Sequence, residues 1–451
     1  MSTEKFEDEI DVDEQQLAAE EGEETVEIVK ESSFQVKDHD FYFNFYSSLQ
    51  NQANMIADVS RTGSYRKALL GNAKVAIIGK TVLDLGAGSG ILSYLSAQAG
   101  ASHVIALEAS SMAEKIEIMI RAANNGKNNP HLKDRIRLVR GMVENKIVQE
   151  QVLKTGKVDT IVSEPIGVML VHERMVESFL LARDLFLKPG GQLLPSAGHI
   201  FFCPFSDEGL YNETEQKAQF FNATLFGTDF SELYAAAREE VFAQPVVGMF
   251  PPNTLVSTPC ASKTFDFYTC KREDLLEFSI PMDFVVYRTS LVHGLASWFD
   301  LDFSPRPAPA SQDVNWNFPV APANAWQWMT QESPFNPGPT PPAPEDGISV
   351  VLSTGPDAPK THWHQARLLL PEPLAVNKGE RVTGRIDFKV NNQRSYDISL
   401  QLRVDRPGLE WDPTPLKRQT DYILQQQCFN YSYNPDTVAM GTSNLNSSFV
   451  A

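Results

Sequence analysis

The chain has 451 residues, 42% of them hydrophobic and 21% charged, which suits roughly two or three domains with sizeable cores. No stretch approaches the ~18–20 uninterrupted apolar residues of a membrane span, and the acidic N-terminus lacks the basic-then-apolar order of a signal peptide. Cys203, Cys260, Cys270 and Cys428 form no C-x-x-C pair, which argues against a zinc site or a disulfide scaffold, so a soluble intracellular protein without metal is expected.

The net charge of −18 is unevenly spread, because residues 1–32 alone carry −11. Few large apolar groups and strong like-charge repulsion predict disorder over 1–34. The remaining body is only mildly acidic, has no basic stripe for nucleic acid and would welcome a cationic substrate. From 39 to 70 the apolar spacing is helical, opening on the aromatics Phe41, Tyr42, Phe43, Phe45 and Tyr46. Strands at 81–85, 103–108, 136–140, 158–162 and 192–194 then alternate with helices at 91–99, 112–124 and 174–186, which predicts a mostly parallel sheet covered on both faces. This α/β domain is expected over 35–195.

After about residue 195 the alternation stops. Short β-rich segments at 200–203, 284–287, 348–352, 364–370, 381–390 and 396–404 predict an antiparallel barrel or sandwich over 196–410, interrupted by helices at 210–221 and 231–240. Residues 304–345 hold eleven of the twenty-nine prolines and three of the six tryptophans, Trp316, Trp326 and Trp328. So many residues without a backbone donor predict a long loop rather than strand. The end of the chain, 411–451, is expected to be flexible.

The first predicted strand runs into Asp84-Leu85-Gly86-Ala87-Gly88-Ser89-Gly90. Glycines there let a backbone approach a nucleotide closely, a signal that NAD enzymes and methyltransferases share. Two features favour S-adenosyl-L-methionine: the G-x-G-x-G spacing departs from the dinucleotide fingerprint, and Asp84 directly precedes the turn. Glu108 closes the next strand, where a carboxylate can take both ribose hydroxyls of an adenosine. Met142-Val143-Glu144 puts a further carboxylate where an adenine amino group would lie.

The fourth strand ends in Ser163-Glu164-Pro165-Ile166-Gly167-Val168-Met169-Leu170-Val171-His172-Glu173-Arg174-Met175. This segment strongly resembles the double-E loop of the protein arginine methyltransferases. Tyr42-Phe43-x-x-Tyr46, Asp58-x-x-Arg61-Thr62-Gly63, Thr361-His362-Trp363 and Leu291-Val292-His293-Gly294 with Trp298-Phe299-Asp300 extend the resemblance over roughly residues 38–405. Gln244-Pro245-Val246-Val247 and Ser395-Tyr396-Asp397-Ile398-Ser399 make the coactivator-associated, type I subclass the most similar. Such a site needs two carboxylates because a guanidinium is a planar cation with five donors and a pKa above ~12. Two carboxylates grip its fork and leave one terminal nitrogen facing the methyl group.

The resemblance implies a Rossmann-like S-adenosylmethionine domain followed by a β-barrel with a helical dimerisation arm at 210–240. It implies a homodimer that forms mono- and asymmetric dimethylarginine on histones and RNA-binding or transcription proteins, in nucleus and cytoplasm. Glu164 and Glu173 would hold the substrate arginine, with Tyr46 and Trp363 beside it, and His362 with Asp58 would form a proton-accepting dyad or a structural tie. Arg61 would pair with the cofactor carboxylate, and Glu108, Val143 and Glu144 would hold its ribose and adenine. Asp84, Gly86, Gly88, Met175 and Ser178 would line the cofactor, and Tyr42, Phe43, Tyr46, Gln52 and Met55 would form a lid. Phe45 and Thr361 agree with the asymmetric product. Val168, where the family usually has tyrosine, and His172, where the subclass more often has asparagine, leave substrate preference open. So does the lack of a counterpart to the N-terminal globular module of animal members. A cofactor-binding but inactive scaffold acting through the tail and the Trp-rich insertion is the competing reading.

Overall fold

The computed structural model describes residues 46–258, 260–307, 342–405 and 416–429. The acidic segment 1–34, the aromatics 41–45 and the three tryptophans of the insertion lie outside the described residues. A helix needs a partner for its first amides. Ser48 Oγ accepts from the Gln50 amide (3.2 Å) at the head of the helix Leu49–Ala57, and Asp58 Oδ1 accepts from the Arg61 amide (2.9 Å) at the head of Val59–Gly71. The described part of the stretch read as helical over 39–70 is therefore two helices, broken where Asp58 adopts extended geometry to cap the second.

Five strands follow: β1 (Thr81–Leu85), β2 (His103–Glu108), β3 (Ile136–Arg140), β4 (Val158–Ser163) and β5 (Leu187–Leu194). They form a parallel sheet in the order β3-β2-β1-β4-β5. Burial on both faces explains why β1 and β2 are nearly continuous apolar runs. The helices Ile91–Gln98, Met112–Asn124 and Met175–Phe186 arise where the apolar spacing is helical; Lys146–Leu153, only eight residues long, was not expected. Strand β5 starts earlier than expected, and its pairing with β4 shifts register between Leu187 and Gln192. Because the chain goes outward from β1 through β2 to β3 and returns to β4 on the other side, the carboxyl ends of β1, β2 and β4 open on one crevice.

The second half opens with β6 (Ala197–Phe205), then the helix Glu208–Gln219, the small pair β7 (Thr224–Leu225) and β8 (Thr228–Asp229), and the helix Tyr234–Phe242. After it come β9 (Val246–Gly248), β10 (Ala261–Asp266), β11 (Glu277–Val285), β12 (Ser290–Asp302), β13 (Val351–Ser353), β14 (Gln365–Val376), β15 (Arg381–Val390), β16 (Tyr396–Asp405), β17 (Leu416–Ile423) and β18 (Cys428–Phe429). One sheet has the order β10-β6-β12-β14-β9-β18, with β13 paired to β12; the other has the order β11-β15-β16-β17. Strict alternation along β11 turns Phe278, Ile280, Met282 and Phe284 inward. There Phe278 stacks on Phe388 (4.7 Å between centroids) and Phe388 meets Phe202 of the other sheet (6.0 Å), filling the barrel interior. Two expectations need correction. Several strands are longer than expected, β11 running over Glu277–Val285 and β14 over Gln365–Val376, and the thirteen-residue β12 was not among the expected strands. The segment expected to be flexible from 411 supplies β17 and β18, because Tyr422 is buried and its hydroxyl donates to the Leu369 carbonyl (2.8 Å).

Candidate active site

The first turn after β1 places Gly86, Gly88 and Gly90 at φ of 71°, 54° and 83°, the left-handed region where glycine alone is unstrained. A Cβ on Gly88 would come within 3.0 Å of Gln52 Oε1, so the Leu49–Ala57 helix lies directly over the turn. Gln52 is itself buried and donates to the Tyr46 carbonyl (2.9 Å). Met175 approaches from the other side, its Cε 3.6 Å from where a Gly86 Cβ would stand. Residues expected around a cofactor from three distant segments therefore meet at one turn.

Two acids flank that turn. Asp84 is fully buried; Ser93 Oγ donates to its Oδ2 (2.7 Å), while Oδ1 has no hydrogen-bond partner. Burial pushes its carboxyl up to about 7, against the Ser93 hydrogen bonds and helped by the Glu108 charge. An orphaned buried acceptor of this kind is a vacancy for a donor. Glu108, at the end of β2, accepts from the Gly88 amide through Oε2 and the Ser110 amide through Oε1, both at 2.7 Å. These bonds orient the carboxylate and leave each oxygen a second lone pair. Val143 is buried, and Ser178 Oγ donates to Glu144 Oε1 (2.6 Å), joining the loop after β3 to the helix Met175–Phe186.

The loop after β4 carries the two further carboxylates, and its backbone is unusual. Met169, Leu170, Glu173 and Arg174 all have φ between 54° and 72°. Each such non-glycine residue costs on the order of 1–2 kcal/mol, so outside contacts must enforce the shape. Trp363 Nε1 donates to the Ile166 carbonyl (3.1 Å). Tyr46 donates to the Glu173 carboxylate, 2.9 Å from either oxygen. Arg61 donates to Glu164 Oε2 through Nη2 (2.7 Å) and Nε (3.3 Å), and Glu164 Oε1 is buried without a partner. Arg61 thus steadies Glu164 and Tyr46 steadies Glu173, and Glu164 Oε1 keeps a free acceptor.

These contacts bear on two sequence assignments. Arg61, expected on a cofactor carboxylate, places two of its five N–H donors on Glu164, because capping by Asp58 and burial of the helix Val59–Gly71 aim it there. Trp363, expected beside the substrate, is buried against Phe299 (5.4 Å) and braces the loop instead. His362 and Asp58 do meet: Nδ1 lies 2.7 Å from Asp58 Oδ2, which also accepts the His362 amide (2.8 Å). Met55 contributes its carbonyl to Arg61 Nη1 (3.3 Å) and Thr62 Oγ1 (3.2 Å). Tyr42, Phe43 and Phe45 lie outside the described residues. Sequence reasoning missed Ser93, Tyr65 (whose hydroxyl donates to the Ser163 carbonyl at 2.9 Å) and Arg394, which donates to the Glu173 carbonyl (3.3 Å). Ser93 sits in the helix just after the glycine turn, a usable signal; the other two carried none.

Residues 196–331 and 344–407 match a family model described as "Arginine methyltransferase oligomerization subdomain", and residues 71–194 match one described as "Ribosomal protein L11 methyltransferase (PrmA)". The chain is 39% identical over 368 residues to the "Probable histone-arginine methyltransferase CARM1" of Oryza sativa subsp. indica, covering 81% of this chain and 60% of that one. It is 36% identical over 407 residues to the "Histone-arginine methyltransferase CARMER" of Drosophila yakuba, covering 89% and 64%. The chain therefore spans less than two thirds of the length of these curated relatives. Among solved structures it is similar to the "Trypanosoma brucei PRMT1 enzyme-prozyme heterotetrameric complex with AdoHcy", at a TM-score of 0.63 and 28% identity, covering 84% of this chain and all of that one.

Proposed function

We propose that the chain is a protein arginine methyltransferase, transferring methyl groups from S-adenosyl-L-methionine to arginine side chains of proteins. Histones are the proposed substrate class, mono- and asymmetric dimethylarginine the products, and a homodimer the working form. The observation that carries this reading is the pair Glu164 and Glu173, steadied by Arg61 and Tyr46 respectively beside the glycine turn, with Glu164 Oε1 buried and unpartnered.

The residues present fit the cofactor. The glycines at positive φ leave room for close approach, Asp84 Oδ1 waits for a donor, and Glu108 is held rigid by two backbone amides. Asp84 would take a cationic amine, Glu108 the ribose hydroxyls, Glu144 with Val143 and Ser178 the adenine, and Met175, Gln52, Tyr46 and Met55 would cover the turn. When bound, S-adenosyl-L-methionine supplies an electrophilic methyl on a sulfonium.

The chain's own residues do the rest by orientation and electrostatics. Glu164 and Glu173 receive the guanidinium fork, hold its positive charge toward themselves and so leave the remaining terminal nitrogen more nucleophilic. Arg61 and Tyr46 keep the two carboxylates from swinging. With Nδ1 against the Asp58 carboxylate, His362 carries its proton there and presents Nε2 as an acceptor for the proton the substrate sheds. Thr361, buried next to His362, fits the asymmetric product.

The test is incubation with methyl-labelled S-adenosyl-L-methionine, histones and arginine-rich peptides, then hydrolysis and mass spectrometry of the arginine derivatives. Asymmetric dimethylarginine is expected. Glu164→Gln and Glu173→Gln should each lower its formation by at least about 10²-fold, the scale seen when one preorganised charge-stabilising contact is removed. Cofactor affinity should stay within about threefold. No methylarginine from the wild type overturns the reading; symmetric dimethylarginine overturns its product.

A further inference from the structure

The strained loop that carries Glu173 is gripped from the barrel by a contact the reaction has not so far used. Strands β15 and β16 are joined by a tight connection over residues 391–395. Asn391 locks it: its Oδ1 accepts from the Gln393 amide (3.0 Å) and the Ser395 amide (3.1 Å), and its own amide donates to the Ser395 carbonyl (2.9 Å). Within that locked turn Arg394 sits at φ 56° and extends across to the loop after β4. Its Nη2 donates to the Glu173 carbonyl (3.3 Å) and lies 4.0 Å from Met175 Sδ. One residue further on, the buried Ser395 places its hydroxyl 2.8 Å from His172 Nδ1. Two adjacent turn residues thus hold His172, the Glu173 backbone and Met175.

Glu173 and Arg174 are consecutive non-glycine residues in the left-handed region, a shape that persists only where surroundings over-determine it. Met175, the next residue, is also the side chain that closes on Gly86. The Arg394 guanidinium therefore bridges the Glu173 backbone and the Met175 side chain that faces the glycine turn. Burial, with the Arg394 charge adding to it, pushes His172 down to about 4. His172 is then neutral at pH 7 and holds Ser395 by a hydrogen bond without competing with the substrate cation.

We propose that Arg394, supported by the Ser395–His172 hydrogen bond, is a positioning residue for methyl transfer: it fixes Glu173 and Met175 relative to each other and does not itself touch the substrate. The inference rests on the function proposed above and deepens it. Because Arg394 and alanine bear the same cost at positive φ, Arg394→Ala removes the contact without changing the backbone requirement of the turn.

The experiment is steady-state methyl transfer to an arginine-rich peptide by the full chain, with cofactor affinity and thermal midpoint measured on the same samples. Arg394→Ala should lower kcat about tenfold, with peptide KM and cofactor Kd each within about threefold and the midpoint within about 2 °C of wild type. Arg394→Lys, which keeps a donor of similar reach, should recover about half of the lost logarithm of rate. Combined with Glu173→Gln, Arg394→Ala should add no further loss, since it acts through that residue. A wild type that makes no methylarginine removes the reading beneath the inference. An active wild type with an Arg394→Ala kcat within about twofold overturns the inference alone. If Arg394→Ala lowers the midpoint more than this, Ser395→Ala decides. A kcat loss of about threefold or more at unchanged midpoint, and no added loss when combined with His172→Ala, supports the inference; an unchanged kcat overturns it.

Discussion

Asp84 holds a carboxyl that burial has raised from 3.8 to about 7, with one oxygen bonded to Ser93 and the other facing no donor. Between these two values the folded chain keeps a proton that the unfolded chain has lost, so the unliganded protein should lose stability as pH rises from about 4 to about 7 and then level off. Asp84→Asn should flatten that slope in denaturant titrations at several pH values; an unchanged slope would assign it to other groups. A cationic amine arriving at Oδ1 favours the ionised form, so cofactor binding near pH 6 should release a proton from Asp84. Calorimetry in buffers of different ionisation enthalpy reads that release directly, and it should vanish in Asp84→Asn. The same variant should bind S-adenosyl-L-methionine at least about tenfold more weakly, the scale of a lost charge-assisted hydrogen bond.

Among the elements, the helix Val59–Gly71 does the most to assemble the site, and Asp58 governs it from its first turn. Burial alone would raise the Asp58 carboxyl, but the hydrogen bonds from His362 and the Arg61 amide outweigh it and hold it below the usual carboxylate range. Its contribution is therefore complete above about pH 4 and is lost as pH falls through the lowered value. Asp58→Ala removes both cap and tie, and should cost about 1–2 kcal/mol in denaturant unfolding. Asp58→Asn keeps an acceptor for the cap and should cost less. If His362 accepts a proton, both variants should lower kcat alike; if the pair only ties helix to barrel, kcat should follow stability. The sequence made much of this legible, because the glycine turn, Glu164 and Glu173, and Thr361-His362-Trp363 are local patterns. It also held the cap signal at Asp58, which the helical spacing read over 39–70 did not use to place a helix boundary. What it did not reveal are pairings set by the fold: Arg61 reaches Glu164 across 103 positions and Arg394 reaches Glu173 across 221, with no local spacing to announce either.

For the whole molecule, the helical excursion from the barrel poses a physical problem that one protomer does not solve. The helices Glu208–Gln219 and Tyr234–Phe242 pack on each other through Arg238 and Glu215 (2.9 Å), so the excursion holds its own shape. Its far end nevertheless leaves Phe226 fully exposed and Phe220 61% and Leu233 48% exposed. Isolated exposed apolar residues are ordinary, but three large ones within 14 positions of one element are what the proposed homodimer would cover. The matched oligomerization subdomain includes this stretch, which supports the homodimer proposed above. Each phenylalanine buried in an interface contributes roughly 2–3 kcal/mol. Phe220→Ser with Phe226→Ser should then weaken association by roughly three orders of magnitude or more, and light scattering at micromolar concentration should find a monomer. Since neither side chain belongs to the core, the thermal midpoint of the diluted protein should not fall. A wild-type mass in the double variant would place the interface elsewhere. A monomer with full methyl transfer would show that the site in each protomer is complete without its partner.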